Sequence, residues 1–216
     1  MKLSKKEKKE EQSKEEEDQS QEVAEEIAFL DPSLLAPKPT PRIISVYGEI
    51  EEEKCGDAVL ALEILKEDAR TSDDGEEVVD PIKFYISTFG GSAVDMFAVY
   101  DAMRMAREKC EIHTYAMGKV MSAGVLLLAA GTKGERRIGA NCRVMLHSVL
   151  AGHHGSLANL ENEVQEVKFT QKLWSKALLK ETGMSEAYLK RLMRKNVNVY
   201  FDAEKAVELG IADIIV

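Results

Sequence analysis

At 216 residues and 24.0 kDa, with 44% hydrophobic residues, the chain can build one sizeable core and is short for two. A net charge of −9 and a pI near 5.1 leave no general basic field, so nucleic acid is not an expected partner. The longest apolar run, residues 125–130, falls far below the ~20 residues a bilayer crossing needs, and the N-terminus is charged where a signal peptide would be apolar; no membrane association is expected. Cys55, Cys110 and Cys142 show no CxxC spacing and read as reduced thiols, which points to a cytoplasmic protein.

In chain order, residues 1–26 are almost entirely Lys, Glu, Gln and Ser without apolar periodicity, a composition that predicts a disordered charged tail. Pro32, Pro37, Pro39 and Pro41 extend it into a connector, so residues 1–40 are expected to lie outside the folded domain, which spans 41–216. The β-branched segment 42–50 predicts a strand, and 58–65 a helix. Residues 69–80 are polar and acidic and predict a surface loop. A second strand is expected over 82–87, stopping at Phe89-Gly90-Gly91-Ser92, followed at once by a helix whose apolar positions run from Met96 to Ala106.

A third short strand, 110–116, delivers the chain to Ser122, which opens the apolar run 123–130. Residues 143–148 predict a fourth strand, carrying His147. This alternation argues for an α/β fold with a parallel or mixed sheet flanked by helices, whose ligands gather at the carboxyl ends of the strands. The longest helical pattern, 156–182, has Leu157, Leu160, Val164, Val167, Leu173, Trp174 and Leu178 as its stripe and Gly183 as its expected stop. At ~40 Å it exceeds what a domain this size needs for its own core, so it is expected to project into a partner subunit. Ser185 caps a further helix through Leu192, Asp202 caps a short one ending at Gly210, and residues 211–216 predict a last strand.

Three features fall at strand ends: the Gly90-Gly91 pair, Ser122 and His147. Each has an ordinary structural reading, as turn, helix N-cap and packed strand histidine. Together they supply what acyl transfer requires: a hydroxyl nucleophile (Ser122), an imidazole base (His147), and backbone N–H donors for an oxyanion (Gly91 and Ala123). The helix opening at Ser122 adds its positive dipole end. His153-His154 lacks a third ligand at suitable spacing, so no metal is expected, and His113 reads as structural.

The segments 85–92 (YISTFGGS), 117–123 (MGKVMSA), 143–147 (RVMLH) and 201–213 (FDAEKAVELGIAD) resemble, in order and register, the signature of the Clp protease proteolytic subunit family. The likeness covers about residues 42–216. It implies a ClpP/crotonase-like α/β fold of repeated β-β-α/βα units with a long projecting handle helix, here residues 156–182. It further implies a serine endopeptidase assembled as a homo-oligomer of stacked heptameric rings, fed unfolded polypeptide by a ring-shaped AAA+ Clp-type ATPase. ATP hydrolysis then belongs to the partner, and no GxxxxGK[ST] loop or other cofactor signature occurs in this chain. The wider clan, with signal-peptide peptidase A and the enoyl-CoA hydratases, matches less well.

In that family an Asp completes the triad shortly before the final helix. Counting back from Ala206 and Gly210, its place is held by Asn198; an ungapped count from His147 lands on Asn196. An amide oxygen can set the imidazole tautomer but cannot balance an imidazolium by charge. A weakly active or non-catalytic ring subunit is therefore the alternative expectation, with Asp202 the nearest downstream carboxylate. Phe89 stands where the family usually has Pro, which alters the peptide groove while leaving the Gly pair intact.

Overall fold

The computed structural model describes residues 41–72, 74–195 and 197–216. The charged tail and connector expected over 1–40, and Asn196, lie outside the described residues. Arg42–Val216 forms one compact unit. Its first half alternates β1 (Ile43–Ile50), α1 (Glu52–Leu65), a small hairpin β2 (Arg70–Thr71) and β3 (Glu77–Val78), β4 (Ile82–Gly91), α2 (Ala93–Ala106) and β5 (Ile112–Met121). The second half follows with α3 (Ala123–Ala129), β6 (Arg137–Ile138), β7 (Arg143–Leu146), α4 (Leu157–Glu181), α5 (Glu186–Arg194), β8 (Val199–Phe201), α6 (Ala203–Glu208) and β9 (Ile214–Ile215). This is the mixed α/β architecture, with a mostly parallel sheet, that the sequence implied.

The main sheet runs β1-β4-β5-β6-β9, every neighbour parallel. β5 is shared lengthwise: its first half pairs with β6 and its last three residues pair with β7, which carries antiparallel β8 on its other side. The register Lys119↔Arg143, Val120↔Val144 and Met121↔Met145 brings Ser122 level with the end of β7. Alternate residues of β1, β4 and β5 are buried, among them Val46, Phe84, Ile86 and Ile112, and pack with Leu62 of α1 and Met96, Val99 and Met103 of α2.

Several boundaries differ from the sequence expectation. α1 starts six residues before position 58, because Glu52 and Glu53 favour the positive end of a helix. β4 does not stop before the glycines but runs through them, and β5 continues to Met121. The loop 69–80 holds the β2–β3 hairpin. α4 is not ended by a left-handed Gly183; Thr182 turns extended and its hydroxyl donates to Leu178 O at 2.6 Å. Of the α4 stripe, Trp174 and Leu178 are buried, while Leu157, Val164 and Leu173 are exposed, so only the C-terminal half of the helix packs on its own domain.

A buried polar network holds α2, α4 and the C-terminal segment together. Arg136 donates to Asp213 (2.7 Å) and to the carbonyls of Glu181 and Gly210 (2.8 Å each). The Glu181 carboxylate accepts from Tyr100 Oη at 2.8 Å and from Arg107 at 3.2 Å. Burial pushes the Glu181 carboxyl up, but the Arg107 guanidinium and the Tyr100 hydroxyl outweigh it and hold the group below its ordinary value. Asp213 follows the same pattern, burial being overcome by Arg136 and the Gly134 amide. The three cysteines are buried and unpaired, and burial pushes the Cys142 thiol up to about 11. Among the described residues no helix is long and apolar enough to cross a membrane.

Candidate active site

Ser122 joins β5 to α3, and it is the one non-glycine residue with positive φ among the described residues (φ 53°, ψ −122°). Such a conformation costs on the order of 1–3 kcal/mol. What holds it is the helix that follows: all seven residues of α3 are buried. Val125, Leu126, Leu127 and Leu128 are wholly so, each gaining roughly 1.5–3 kcal/mol by burial. The core term exceeds the strain severalfold. Ser122 N–H also donates to Met145 O at 2.8 Å, tying the turn to β7.

Ser122 occupies the N-cap position of α3, yet its hydroxyl makes no capping bond. The side chain is directed to His147, whose Nε2 lies 2.8 Å from Ser122 Oγ. The two residues, 25 apart in sequence, meet because β5 and β7 are parallel and in register. A strained strand-to-helix turn presenting a serine hydroxyl to an imidazole is how several unrelated hydrolases expose a nucleophile.

Gly90 and Gly91 close on this pair from β4. Gly90 has φ +107°, and a Cβ there would lie 2.6 Å from Ser122 Cβ; Gly91 has φ +150°, and a Cβ there would lie 2.2 Å from Ile50 O. Neither position has room for a side chain. The Gly90 N–H donates to Thr88 Oγ1 at 2.9 Å and the Ser92 N–H to Ile50 O at 2.9 Å, which leaves the intervening Gly91 N–H directed away from β1. Ala123 is the first residue of α3, so its N–H has no intrahelical acceptor. Gly91, Ala123, Ser122 and His147 all line one cavity of about 420 Å³. Its remaining walls are mainly apolar: Phe89, Met96, Val149, Leu150 and Trp174. Gln171 of α4 fixes the segment after the histidine, its Oε1 accepting from Val149 N–H at 2.6 Å.

Asn198 is placed differently. Its side chain is exposed and donates to Tyr200 Oη at 3.5 Å, and among the described residues no side chain bonds the second ring nitrogen of His147. Asp202 caps α6 by accepting from Lys205 N–H at 2.9 Å. His113 bonds Glu111 at the start of β5, the end remote from Ser122. His153 lies 3.4 Å from Glu163, and among the described residues no three His, Cys, Asp or Glu side chains gather as a metal site would require. The wall residues Met96 and Trp174 were not legible as site residues, since a cavity wall and a core contact leave the same apolar spacing.

Comparison with known proteins identifies the family. The sequence model of the Clp protease family matches residues 39–216. The chain is similar to the ATP-dependent Clp protease proteolytic subunit 4 of Rhodococcus jostii, with 34% identity over 81% of this chain and 84% of that protein. It is similar also to proteolytic subunit 1 of Streptomyces avermitilis, at 32% identity over 86% and 80% of the two chains, and to proteolytic subunit 2 of Corynebacterium jeikeium, at 31% over 80% and 77%.

Proposed function

The chain belongs to the Clp protease family, a family of peptidases, and on that footing we propose that it is a serine-type endopeptidase, the proteolytic subunit of an ATP-dependent Clp-type protease. Its substrates are unfolded polypeptides fed by an AAA+ Clp-type ATPase, and it acts in the cytoplasm. The observation that carries this reading is the 2.8 Å approach of His147 Nε2 to Ser122 Oγ at a strained turn.

Ser122 Oγ attacks the scissile carbonyl carbon while its proton passes to His147 Nε2. The carbonyl oxygen becomes an oxyanion held by the Gly91 and Ala123 N–H groups. His147 then returns the proton to the departing amine nitrogen, leaving an ester on Ser122. A water molecule attacks that ester, gives its proton to His147, and the second collapse releases the acid and restores the hydroxyl. Asn198 is assigned to the third triad position by its place in the sequence; its exposed side chain bonds Tyr200 Oη, and only on turning to His147 does its amide orient the imidazole, without balancing its charge. The apolar cavity walls suit an apolar substrate side chain beside the scissile bond.

The ring assembly rests on α4. Its N-terminal half exposes Leu157, Val164 and Phe169 among Glu161, Glu163 and Glu166, while Lys168, Lys172, Lys176 and Lys180 follow at four-residue spacing. An exposed apolar stripe of this kind calls for a partner, and opposite charge on the two halves of one helix suits antiparallel pairing with a second copy. Stacked heptameric homo-oligomeric rings meet that requirement.

A second reading, a weakly active or non-catalytic ring subunit, is favoured by the exposed Asn198 bonded to Tyr200 rather than to His147. Digestion of an unfolded polypeptide by the assembled protein with its ATPase separates the two. Release of short peptides that is lost in Ser122→Ala supports the hydrolytic reading. Intact substrate, or equal digestion by Ser122→Ala, overturns it.

A further inference from the structure

Two β-bulges lie close to Ser122; one sets a side chain in the wall of its cavity and the other sets a cation on that wall residue. Against β1, the register of β4 slips between Gly48↔Thr88 and Glu49↔Gly90, which leaves Phe89 as the extra residue. Its ring is 67% exposed and lines the cavity that holds Ser122 and His147. Against β4, the register of β5 jumps from Ile86↔Ala116 to Thr88↔Val120, so that Met117, Gly118 and Lys119 stand opposite Ser87 alone. Gly118 supplies the positive φ of 68° that such a bulge needs.

The two bulged residues meet: Lys119 Nζ lies 4.5 Å from the centroid of the Phe89 ring. On its other side Lys119 is directly opposite Arg143 of β7, a like-charge pairing that opposes sheet formation. Among the described residues neither cation has a carboxylate partner. The described residues include many carboxylates, yet none of them is placed against these two cations. A surface lysine resting on an aromatic ring is commonplace. Two uncompensated cations beside the mouth of a cavity, one of them seated on a wall residue of that cavity, indicate that an anion arrives from outside.

We propose that Lys119, seated on Phe89 and supported by Arg143, is a specificity-determining cation that selects polypeptide segments carrying Asp or Glu near the scissile bond. Three positions separate Lys119 from Ser122, about 10 Å at ~3.3 Å per residue of extended chain. The same rise in an extended substrate puts the acidic residue about two or three positions from the bond that is cut. The aromatic ring holds the ammonium in place and limits its freedom, so the ion pair forms at smaller entropic cost than with a free lysine. The inference rests on the proposed role of Ser122.

Fluorogenic peptides identical except for Asp or Asn two and three positions from a single apolar cleavage site test it. The Asp peptide is expected to show about fivefold higher kcat/KM at low salt, a preference that shrinks as salt screens the pair. The Asp/Asn ratio falls to about one in Lys119→Gln, falls partway in Arg143→Gln, and inverts in Lys119→Glu against peptides carrying Lys instead of Asp. A wild-type ratio near one, or a ratio unmoved by Lys119→Gln, overturns the proposal. Dissociation constants of the same labelled peptides for the Ser122→Ala protein read the preference without turnover. Acid-selective binding without hydrolysis by the wild type would leave this inference standing and sink the peptidase reading; hydrolysis without selectivity would do the reverse.

Discussion

Replacing Gly90 with alanine adds one methyl group where the strand and the nucleophile come closest. The new Cβ would lie 2.6 Å from Ser122 Cβ and 3.1 Å from both Ser122 Oγ and Met121 O, on a backbone at φ +107° that L-residues rarely adopt. Backbone strain alone costs on the order of 1–3 kcal/mol. Relieving a 2.6 Å overlap moves one of the two side chains by roughly 1 Å, and a displacement of that size typically lowers rate by ~10². The four wholly buried aliphatic residues of α3 keep the turn folded, so the loss falls on geometry rather than on the fold. The melting temperature should therefore drop only about 2–10 °C. The assay is the second-order rate of acylation by a fluorophosphonate, with circular dichroism melting of the same sample. Gly56→Ala serves as the control, since a Cβ there meets nothing within 4 Å. A folded Gly90→Ala protein acylated within about twofold of the wild-type rate would refute the account of why this glycine stands beside Ser122.

The other perturbations follow from the same coordinates. Asn198→Asp should raise peptidase kcat by about tenfold or more, under the ~10⁴ ceiling that separates a triad acid from its amide; an unchanged kcat would remove Asn198 from the proposed third position. Glu181 and Asp213 have folded pKa values below their ordinary ones, so their stabilisation is present above the ordinary carboxylate range and is lost as pH falls below that range through the lowered values. Urea midpoints should accordingly hold near neutrality and fall steeply in acid. Glu181→Gln should cost about 3 kcal/mol at pH 7 by leaving Arg107 without its partner, and a flat acid profile in the wild type would contradict the assignment. Val164→Glu, on the exposed half of α4, should shift the sedimentation of the assembly toward smaller species with little change in the melting of the subunit; an unaltered assembly would argue against α4 as the inter-ring contact.

Much of this molecule could be read from local pattern. Strands β1, β4, β5, β7 and β9, the long helix and the placing of Ser122 and His147 at strand ends follow from apolar periodicity broken by glycine, because those signals are set within a few residues, whereas the two- and three-residue strands β6 and β8 are too short to show a period. What could not be read depends on register. The bulges that expose Phe89 and turn Lys119 onto it arise from how β1, β4 and β5 slide past one another, and a one-residue slip leaves composition untouched. The continuation of β4 through Gly90 and Gly91 was hidden for a related reason: two glycines usually end a strand, and here parallel pairing with Glu49 and Ile50 of β1 carries it on. Trp174 reads as one more core position of α4 and proves to be both buried and a cavity wall. The exposed Asn198 marks the point at which position in the sequence and position in space part, since its match to a triad site rests on counting from α6 while its side chain bonds Tyr200.

Ser122 is proposed to be a nucleophile activated by His147. Treatment of the assembled protein with a fluorophosphonate, followed by digestion and mass spectrometry of the adduct, tests it most directly. A single modified residue, Ser122, is expected, with labelling abolished in Ser122→Ala and reduced by at least ~10²-fold in His147→Ala. No adduct on an assembled, folded protein, or an adduct at Ser122 whose rate ignores the loss of His147, would contradict it.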